Sequence, residues 1–564
     1  MYDLKDTLQG TAEAILKEKY GSSTTVHFQV SFEDGHGDLT TSVALQLAKK
    51  VGSSPREVAQ VLVDGLKAVK GITDIAIAGP GFVNITLDPE ALIRGITTAR
   101  KACVPMKKRN AQPVIIDYSA PNIAKPLGIH HILSTIIGQS NANMYRHLGY
   151  ETVSINHIGD WGTQFGKLAV AQKKWGKKDV GDQTIDELLG LYVRFHEELE
   201  KDKTLEDEGR LAFKKLEEGD KELRAFWKAV ITITMKSMEK LYERLDVHFD
   251  FTQGESFYED KMKSILEEGK EKGVFKKGEE GALIVEFSEE SKLPPAIVMK
   301  KDGATNYLTR DLATARYRID MWNPQEVLYV VDIAQQLYFK QLFATLGQLA
   351  WKLPHLEHII FGRMSFADKG MSTRKGNILR LEEVLDEAVK RASAIIEERG
   401  EKIQTDDPKA LAEMMGVGSV VYGVLSQNRK MDMVFDWDKM LSFEGNSAPY
   451  LQYTYARAKS VLRKAGSEGS DAVVTSLTEK ERKLLKQVLL FSEMVEAARR
   501  EHLPHTLAHY LYELCQAFNS FYACDEIATS SGSTRDFRLA LTSLTAEVLK
   551  TGANILTLRV PERM

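Results

Sequence analysis

Asn122, Lys125, His130 and His131 fall close together in the stretch DYSAPNIAKPLGIHHILSTIIGQS, positions 117–140, and that combination suits the holding of phosphate. A strand end leads through a turn rich in proline and glycine into a helix. Backbone N–H groups at a helix start and the positive end of its dipole favour an anion, and Lys125 adds a full charge nearby. Ile129, Ile132, Leu133, Ile136, Ile137 and Met144 recur at three- and four-residue spacing, so the segment after Pro126 is predicted to be an amphipathic helix. On that helix His130 and His131 would point roughly 100° apart, leaving at most one to face a given ligand atom squarely. A second concentration of charge, positions 361–380, holds five basic residues against one acidic and offers a polyanion a local contact. His157 and Asp160, in NHIGDWGTQFGKL, are metal-ligand types without a third in register, so no zinc or other protein-held metal is expected.

Positioning such groups takes a scaffold, and the chain alternates accordingly. From Pro113 it runs strand VIIDYS, helix 129–148, strand TVSINH, a charged helical stretch from about 166 to 273, strand VLYVVD, helix 338–350, strand EHIIFG and helix 381–399. This order predicts an α/β fold, a Rossmann-like doubly wound parallel sheet interrupted by a helical insertion at about 170–300. Ligands in such sheets bind beyond the carboxyl ends of the strands, where strand order switches. Residues 1–100 read as a small α+β domain, with a strand at TVHFQV and two more in IAIAGPGFVNITL. Basic residues 101–110 read as a linker and 111–400 as the sheet domain. From 405 to 564 strand signals nearly vanish, which predicts an all-α helical bundle.

Whole-chain properties agree. The length of 564 residues allows about three or four domains. Hydrophobic content of 43% and charged content of 27% are ordinary for soluble protein. Three cysteines without a CxxC pair exclude a disulfide framework and suggest a reducing compartment. No stretch resembles a signal peptide or reaches the ~20 apolar residues of a membrane span, so a cytoplasmic location away from membranes is expected. The net charge of −4 makes no global case for nucleic acid.

Six segments, SAPNIAKP (119–126), STIIG (134–138), NHIGDWGTQFGKL (156–168), YLTRDLATARYR (307–318), MSTRKGN (371–377) and VPERM (560–564), together resemble the class I aminoacyl-tRNA synthetases, and specifically the arginyl-tRNA synthetase family, over nearly the whole chain. The resemblance implies that ATP and L-arginine form arginyl-adenylate, with Mg²⁺, and that the arginyl group passes to the 3′ end of tRNA(Arg), with AMP and pyrophosphate released and activation requiring bound tRNA. It also implies a monomer. Chemistry of this kind rests on positioning and on charge stabilisation at non-bridging oxygens.

Residue by residue, the family's His-x-Gly-His falls on Gly128, Ile129, His130 and His131. His131 keeps the second histidine, while Gly128 and His130 replace the first histidine and the glycine. The family's Lys-Met-Ser-Lys-Ser loop falls on Gly370, Met371, Ser372, Thr373 and Arg374, with Lys375 following, so both lysines are absent from their places. In arginyl enzymes the lysine before the first motif compensates, which assigns Lys125 and His131 to catalysis. ATP contacts are expected from these two and from Gly128, His130, Met371, Ser372, Arg374 and Lys375.

Selecting arginine calls for a carboxylate that bonds a planar guanidinium side by side, a geometry lysine does not reproduce. By resemblance Asp311 and Tyr307, four apart on one helix face, line that pocket with Gln335, while Asn122 holds the substrate's α-amino end. Asp160 is expected to shape the site. The helical region resembles an anticodon-binding domain. Its FEGNSAPYLQYTYARAK segment offers Tyr450, Tyr453 and Arg457 to unpaired bases, which need flat surfaces with flanking cations. The first domain resembles the family's tRNA-contacting N-terminal module, with Phe82 and Asn84 as contacts. Two rivals predict differently: a silent tRNA-binding paralogue needs no arginine pocket, and a class I enzyme for cysteine would carry metal-ligand cysteines.

Overall fold

The computed structural model describes residues 2–33, 35–109, 111–278, 281–301, 303–367, 379–470 and 472–564. In the N-terminal region four strands, β1 Gln29–Val30, β2 Leu39–Thr41, β3 Ile72–Ala78 and β4 Phe82–Leu87, form an antiparallel sheet in the order β1-β2-β4-β3. Helices Val43–Val51 and Pro55–Leu66 pack on it. The second of these starts at a capping box, Ser54 with Glu57, which satisfies two N–H groups of its first turn. The strand expected at TVHFQV shrinks to the two residues of β1. Asp38 anchors this region to the C-terminal helices: it is fully buried, its Oδ2 accepts from Leu87 N–H at 2.7 Å, and Arg482 and Lys486 reach it from helix Glu479–Leu489.

The central sheet is parallel, built from β5 Val114–Asp117, β6 Thr152–Asn156, β7 Phe251–Thr252, β11 Glu326–Asp332 and β12 His355–Phe361 in the order β12-β11-β5-β6-β7. Strand order therefore reverses between β5 and β11. The crevice beyond their carboxyl ends is where a ligand belongs. Helix α1, His131–His147, makes the crossover from β5 to β6. It starts at His131, two residues later than expected, and it is not amphipathic in the predicted sense. Ser134, Thr135, Gln139, Ser140 and Asn141 are buried along with its apolar stripe, because the C-terminal helices cover the face turned away from the sheet. Gly138 is needed for the close approach: a Cβ there would lie 2.2 Å from Tyr118.

The insertion between β6 and β11 is helical only in its first part, which includes α2, Ile185–Lys201. Its second part holds an antiparallel sheet of three short strands, β8 Phe275–Lys277, β9 Leu283–Val285 and β10 Ala296–Met299. These escaped the sequence reading because strands of three or four residues depend on their pairing partners more than on their own propensity. After β10 comes α3, Tyr307–Trp322.

Beyond β12, β13 Met364–Phe366 pairs in parallel with β14 Met433–Phe435. A strand thus lies inside the region read as all-helical, and it ties the chain leading toward positions 368–378 to the helical bundle. Helix Leu381–Arg399 packs along helix Pro408–Leu425, so the expected break near 400–405 falls inside a helix pair. One hydrophobic core extends through the N-terminal region, α1 and the bundle. Among the described residues no helix is long and apolar enough to cross a membrane.

Candidate active site

The loop after β5 is held in an unusual backbone conformation. Ser119, Ala120 and Ala124 have φ of 70°, 46° and 64°, each costing about 1–3 kcal/mol for a residue with a side chain. The surrounding chain holds the loop in place: Ser119 N–H donates to Ser134 Oγ at 2.9 Å, Ala120 N–H to Asn156 Oδ1 at 3.1 Å and Ala124 N–H to Thr234 Oγ1 at 3.2 Å. Asn122 bridges to Gly159, where a Cβ would stand 2.3 Å from the asparagine Oδ1. This arrangement presents Asn122 and Lys125 at the surface of a cavity of about 930 Å³ that Gly128, His130 and His131 also line. Its volume is in the range that small-molecule sites occupy.

His131 opens α1, and its Nδ1 accepts from Gly128 N–H at 2.9 Å. Burial first, then the neighbouring His130, lower its pKa to about 4 against a backbone bond to Gly128 that raises it, so the ring is neutral near pH 7. His130 precedes the helix, its ring centroid 4.0 Å from that of His131. The two rings line one cavity, contrary to the divergence expected from helical spacing. Burial also lowers the His130 pKa, opposed by Asp332 at the end of β11. Lys125 Nζ lies 5.0 Å above the Tyr192 ring of α2, so the insertion flanks the phosphate loop.

Across the cavity, Ile129 N–H donates to Leu379 O and Leu381 N–H to Leu127 O, both at 2.9 Å, while Arg380 pairs with Asp186 of α2 at 2.6 Å. Met371, Ser372, Arg374 and Lys375 lie outside the described residues; the chain re-enters at this edge of the cavity.

Two of the residues expected to bind arginine lie on α3, whose start Asn306 caps by accepting from Leu308 N–H. Tyr307 is 68% exposed and Asp311 half-buried. Tyr338 Oη donates to Asp311 Oδ2. Burial raises the Asp311 pKa and Asp117 adds to the rise, while His157, the Tyr338 bond and Arg310 oppose it. Gln335 is exposed in the short turn after β11.

Asp160 is buried, accepting from Ser256 N–H at 2.8 Å and Ser256 Oγ at 2.6 Å. Gly254 passes so close that a Cβ would meet the Asp160 carboxylate at 2.3 Å. Asp160 thereby fixes the turn that carries Glu255, a residue the sequence reading missed. Glu255 pairs with Arg310 at 3.0 Å, and burial pushes its pKa up to about 7, with Asp311 and Asp160 reinforcing the rise against Arg310. The available signal was the acid in FTQGESF just past a strand-like run, but nothing in its spacing links it to Asp311, 56 positions on in the chain. His157 Nδ1 donates to Gln253 O at 3.0 Å, which seats it in the same turn.

In the helical bundle, Tyr450 and Tyr512 have ring centroids 5.6 Å apart, and Tyr450 Oη accepts from Asn519 at 3.1 Å. The Arg457 guanidinium lies 4.7 Å from the Tyr453 ring and 5.0 Å from that of Tyr522. These groups form a half-exposed aromatic and cationic face; Tyr455 of the same segment is in the core. In the first region Phe82 is exposed at the start of β4, whereas Asn84 is buried and accepts from Thr40 Oγ1 at 2.8 Å.

Comparison with known proteins bears on this arrangement directly. Residues 96–437 match the model of the catalytic domain of class I tRNA synthetases (R), residues 3–87 that of the arginyl tRNA synthetase N-terminal domain, and residues 451–564 that of the DALR anticodon-binding domain. The chain belongs to the arginyl-tRNA synthetase family. An arginine–tRNA ligase of Fusobacterium nucleatum is 40% identical to it over 100% of this chain and 99% of that one, and one from Alkaliphilus metalliredigens is 39% identical over 92% of each. The arginyl-tRNA synthetase structure from Thermus thermophilus superposes with a TM-score of 0.83 at 24% identity, with both chains covered in full. That from Plasmodium falciparum gives 0.80 at 24% identity over 100% and 99% of the two chains. As a synthetase of this family the chain is an aminoacyl-tRNA ligase, its reaction is the ATP-dependent joining of arginine to tRNA, and its fold is that of the class I enzymes.

Proposed function

We propose that the two halves of the crevice divide the reaction between them. Asp311, assisted by Tyr307, Gln335 and Glu255, takes the guanidinium of arginine, and Asn122 holds its α-amino end. Lys125, His131, His130 and the backbone at Gly128 take ATP, together with Met371, Ser372, Arg374 and Lys375. The arginine carboxylate then attacks the α-phosphorus, pyrophosphate leaves, and a terminal ribose hydroxyl of tRNA(Arg) attacks the acyl carbon and releases AMP. Neutral His131 donates a ring N–H to a phosphate oxygen, and Lys125 balances charge as pyrophosphate departs.

Mg²⁺ bound with ATP would neutralise phosphate charge. Phe82 in the first domain and Tyr450, Tyr453 and Arg457 in the bundle are the proposed tRNA contacts, while Asn84, buried against Thr40, supports the strand that presents Phe82. The domains are drawn at 1–100, 111–400 and 405–564, and the protein acts as a cytoplasmic monomer.

The observation that carries the reading is the half-buried Asp311 carboxylate, which accepts from Tyr338 and has His157 and Arg310 as cationic or titratable neighbours. Its test is aminoacylation of tRNA with labelled arginine and labelled lysine in parallel. Incorporation of arginine alone supports a two-pronged carboxylate contact, whereas comparable incorporation of lysine would remove it.

A further inference from the structure

A buried ion pair lies beneath the arginine pocket and is not used by the reaction as described. Arg318 Nη1 stands 2.7 Å from Asp117 Oδ2, and the two side chains are 0% and 9% exposed. Arg318 follows Asp311 by seven residues on α3, two turns along and on the same face. Asp117 ends β5, two residues before the first left-handed position of the loop that presents Asn122 and Lys125. Tyr329 of β11 is its register partner in the sheet, and Tyr258 and Tyr329 stand beside the guanidinium. The pair therefore joins the strand that delivers the phosphate loop to the helix that delivers the guanidinium ligand. Stability is a weak account of it, since a buried ion pair is often matched or exceeded by hydrophobic residues of similar volume.

We propose that Arg318 is a positioning and specificity-determining residue, which neutralises Asp117 under the pocket and couples β5 to α3, so that Asp311 meets the substrate guanidinium ionised and in place. This rests on Asp311 being the arginine ligand. The charged and titratable groups facing Asp311 are His157 and Arg310, which favour its ionised form, Tyr338, which donates to it, and Asp117, Glu255 and Tyr329. Of these, Asp117 is the one whose charge Arg318 cancels. With Arg318 gone, a bare Asp117 makes Asp311 harder to ionise. With Asp117 gone, a bare Arg318 makes it easier and also repels the substrate.

The experiment is the arginine KM of the full chain with tRNA, measured against pH, with the ATP KM alongside, for Arg318→Met, Asp117→Asn, Arg318→Lys and the double variant. In Arg318→Met the pH below which arginine affinity falls rises by about one unit; in Asp117→Asn it moves the other way. Arg318→Lys and the double variant, whose buried charge again sums to zero, return to the parent midpoint. The double variant, lacking the tether, keeps an arginine KM raised about ten- to a hundredfold with its ATP KM unchanged. Superimposed pH curves, or an unchanged arginine KM in the double variant, would overturn the proposal whatever happens to Tm. Should either single variant fail to fold, Arg318→Lys and the double variant still decide it. Failure of the underlying reading shows separately, as an unaltered arginine KM in Asp311→Asn.

Discussion

The proposed guanidinium site and the proposed phosphate cradle are built on opposite plans. The first is made of side chains already engaged with one another, Tyr338 hydrogen-bonded to Asp311 and Arg310 and Arg318 ion-paired with Glu255 and Asp117. The cradle is made of backbone held in left-handed conformations and of an exposed lysine, beside a cavity of about 930 Å³. The difference follows from what each must do. A guanidinium has to be told from an ammonium, which takes oriented acceptors that cannot relax toward the wrong cation. A triphosphate carries its own charge and needs donors that stay in place as pyrophosphate leaves.

The comparison can be broken most severely at Asp311. Removing one member of a desolvated charged pair costs about 2–5 kcal/mol, so Asp311→Asn should raise the arginine KM roughly thirtyfold or more while the ATP KM stays put. Steady-state kinetics with each substrate varied in turn checks both halves of that statement. Lys125→Ala should do the reverse, lowering kcat about 10²–10³-fold, as loss of one preorganised donor does, with little change in arginine KM. The two histidines sharpen the contrast inside the cradle: His131→Ala should slow tRNA-dependent ATP–pyrophosphate exchange more than His130→Ala, because His131 is the one locked by Gly128. The opposite ranking would reverse the assignment of the ATP motif.

The smallest effect is one of pH. Glu255, with a pKa raised to about 7, is protonated below that point and withdraws one acidic neighbour from the guanidinium. Arginine affinity should therefore fall as pH drops through about 7, and Glu255→Gln should flatten that part of the curve. The cradle shows no matching limb from His131, whose pKa near 4 keeps it neutral across the range. Its effect appears in stability instead. Between about 4 and 6.5 the unfolded chain binds a proton that folded His131 does not, so stability rises with pH there, which denaturant titrations at pH 5 and 7 would register.

Much of this molecule was legible in one dimension where a feature depends on neighbours in the chain. Helix Leu381–Arg399 appears where its periodicity placed it, and β5, β6, β11 and β12 lie within a residue or two of the runs that announced them. Features that depend on distant partners were not legible. Strands β8 to β10 and β14 are too short to declare themselves without the strands they pair with. The polar face of α1 reads as a solvent face until the helical bundle covers it. Glu255 is one acid among many until Asp160 and Ser256 fold its turn against Arg310.

By itself the sequence determined the family it resembles and the order of the main parallel strands, because the motifs that carry the resemblance and the hydrophobic periods are local properties that survive without a fold. Tertiary structure alone decided which charges meet. Placing β11 beside β5 brings Tyr329 next to Asp117, and α3 sets Arg318 against that aspartate and Asp311 against Tyr338. Coulomb energy and desolvation depend on distance and burial in space, and a linear chain specifies neither until it has closed on itself.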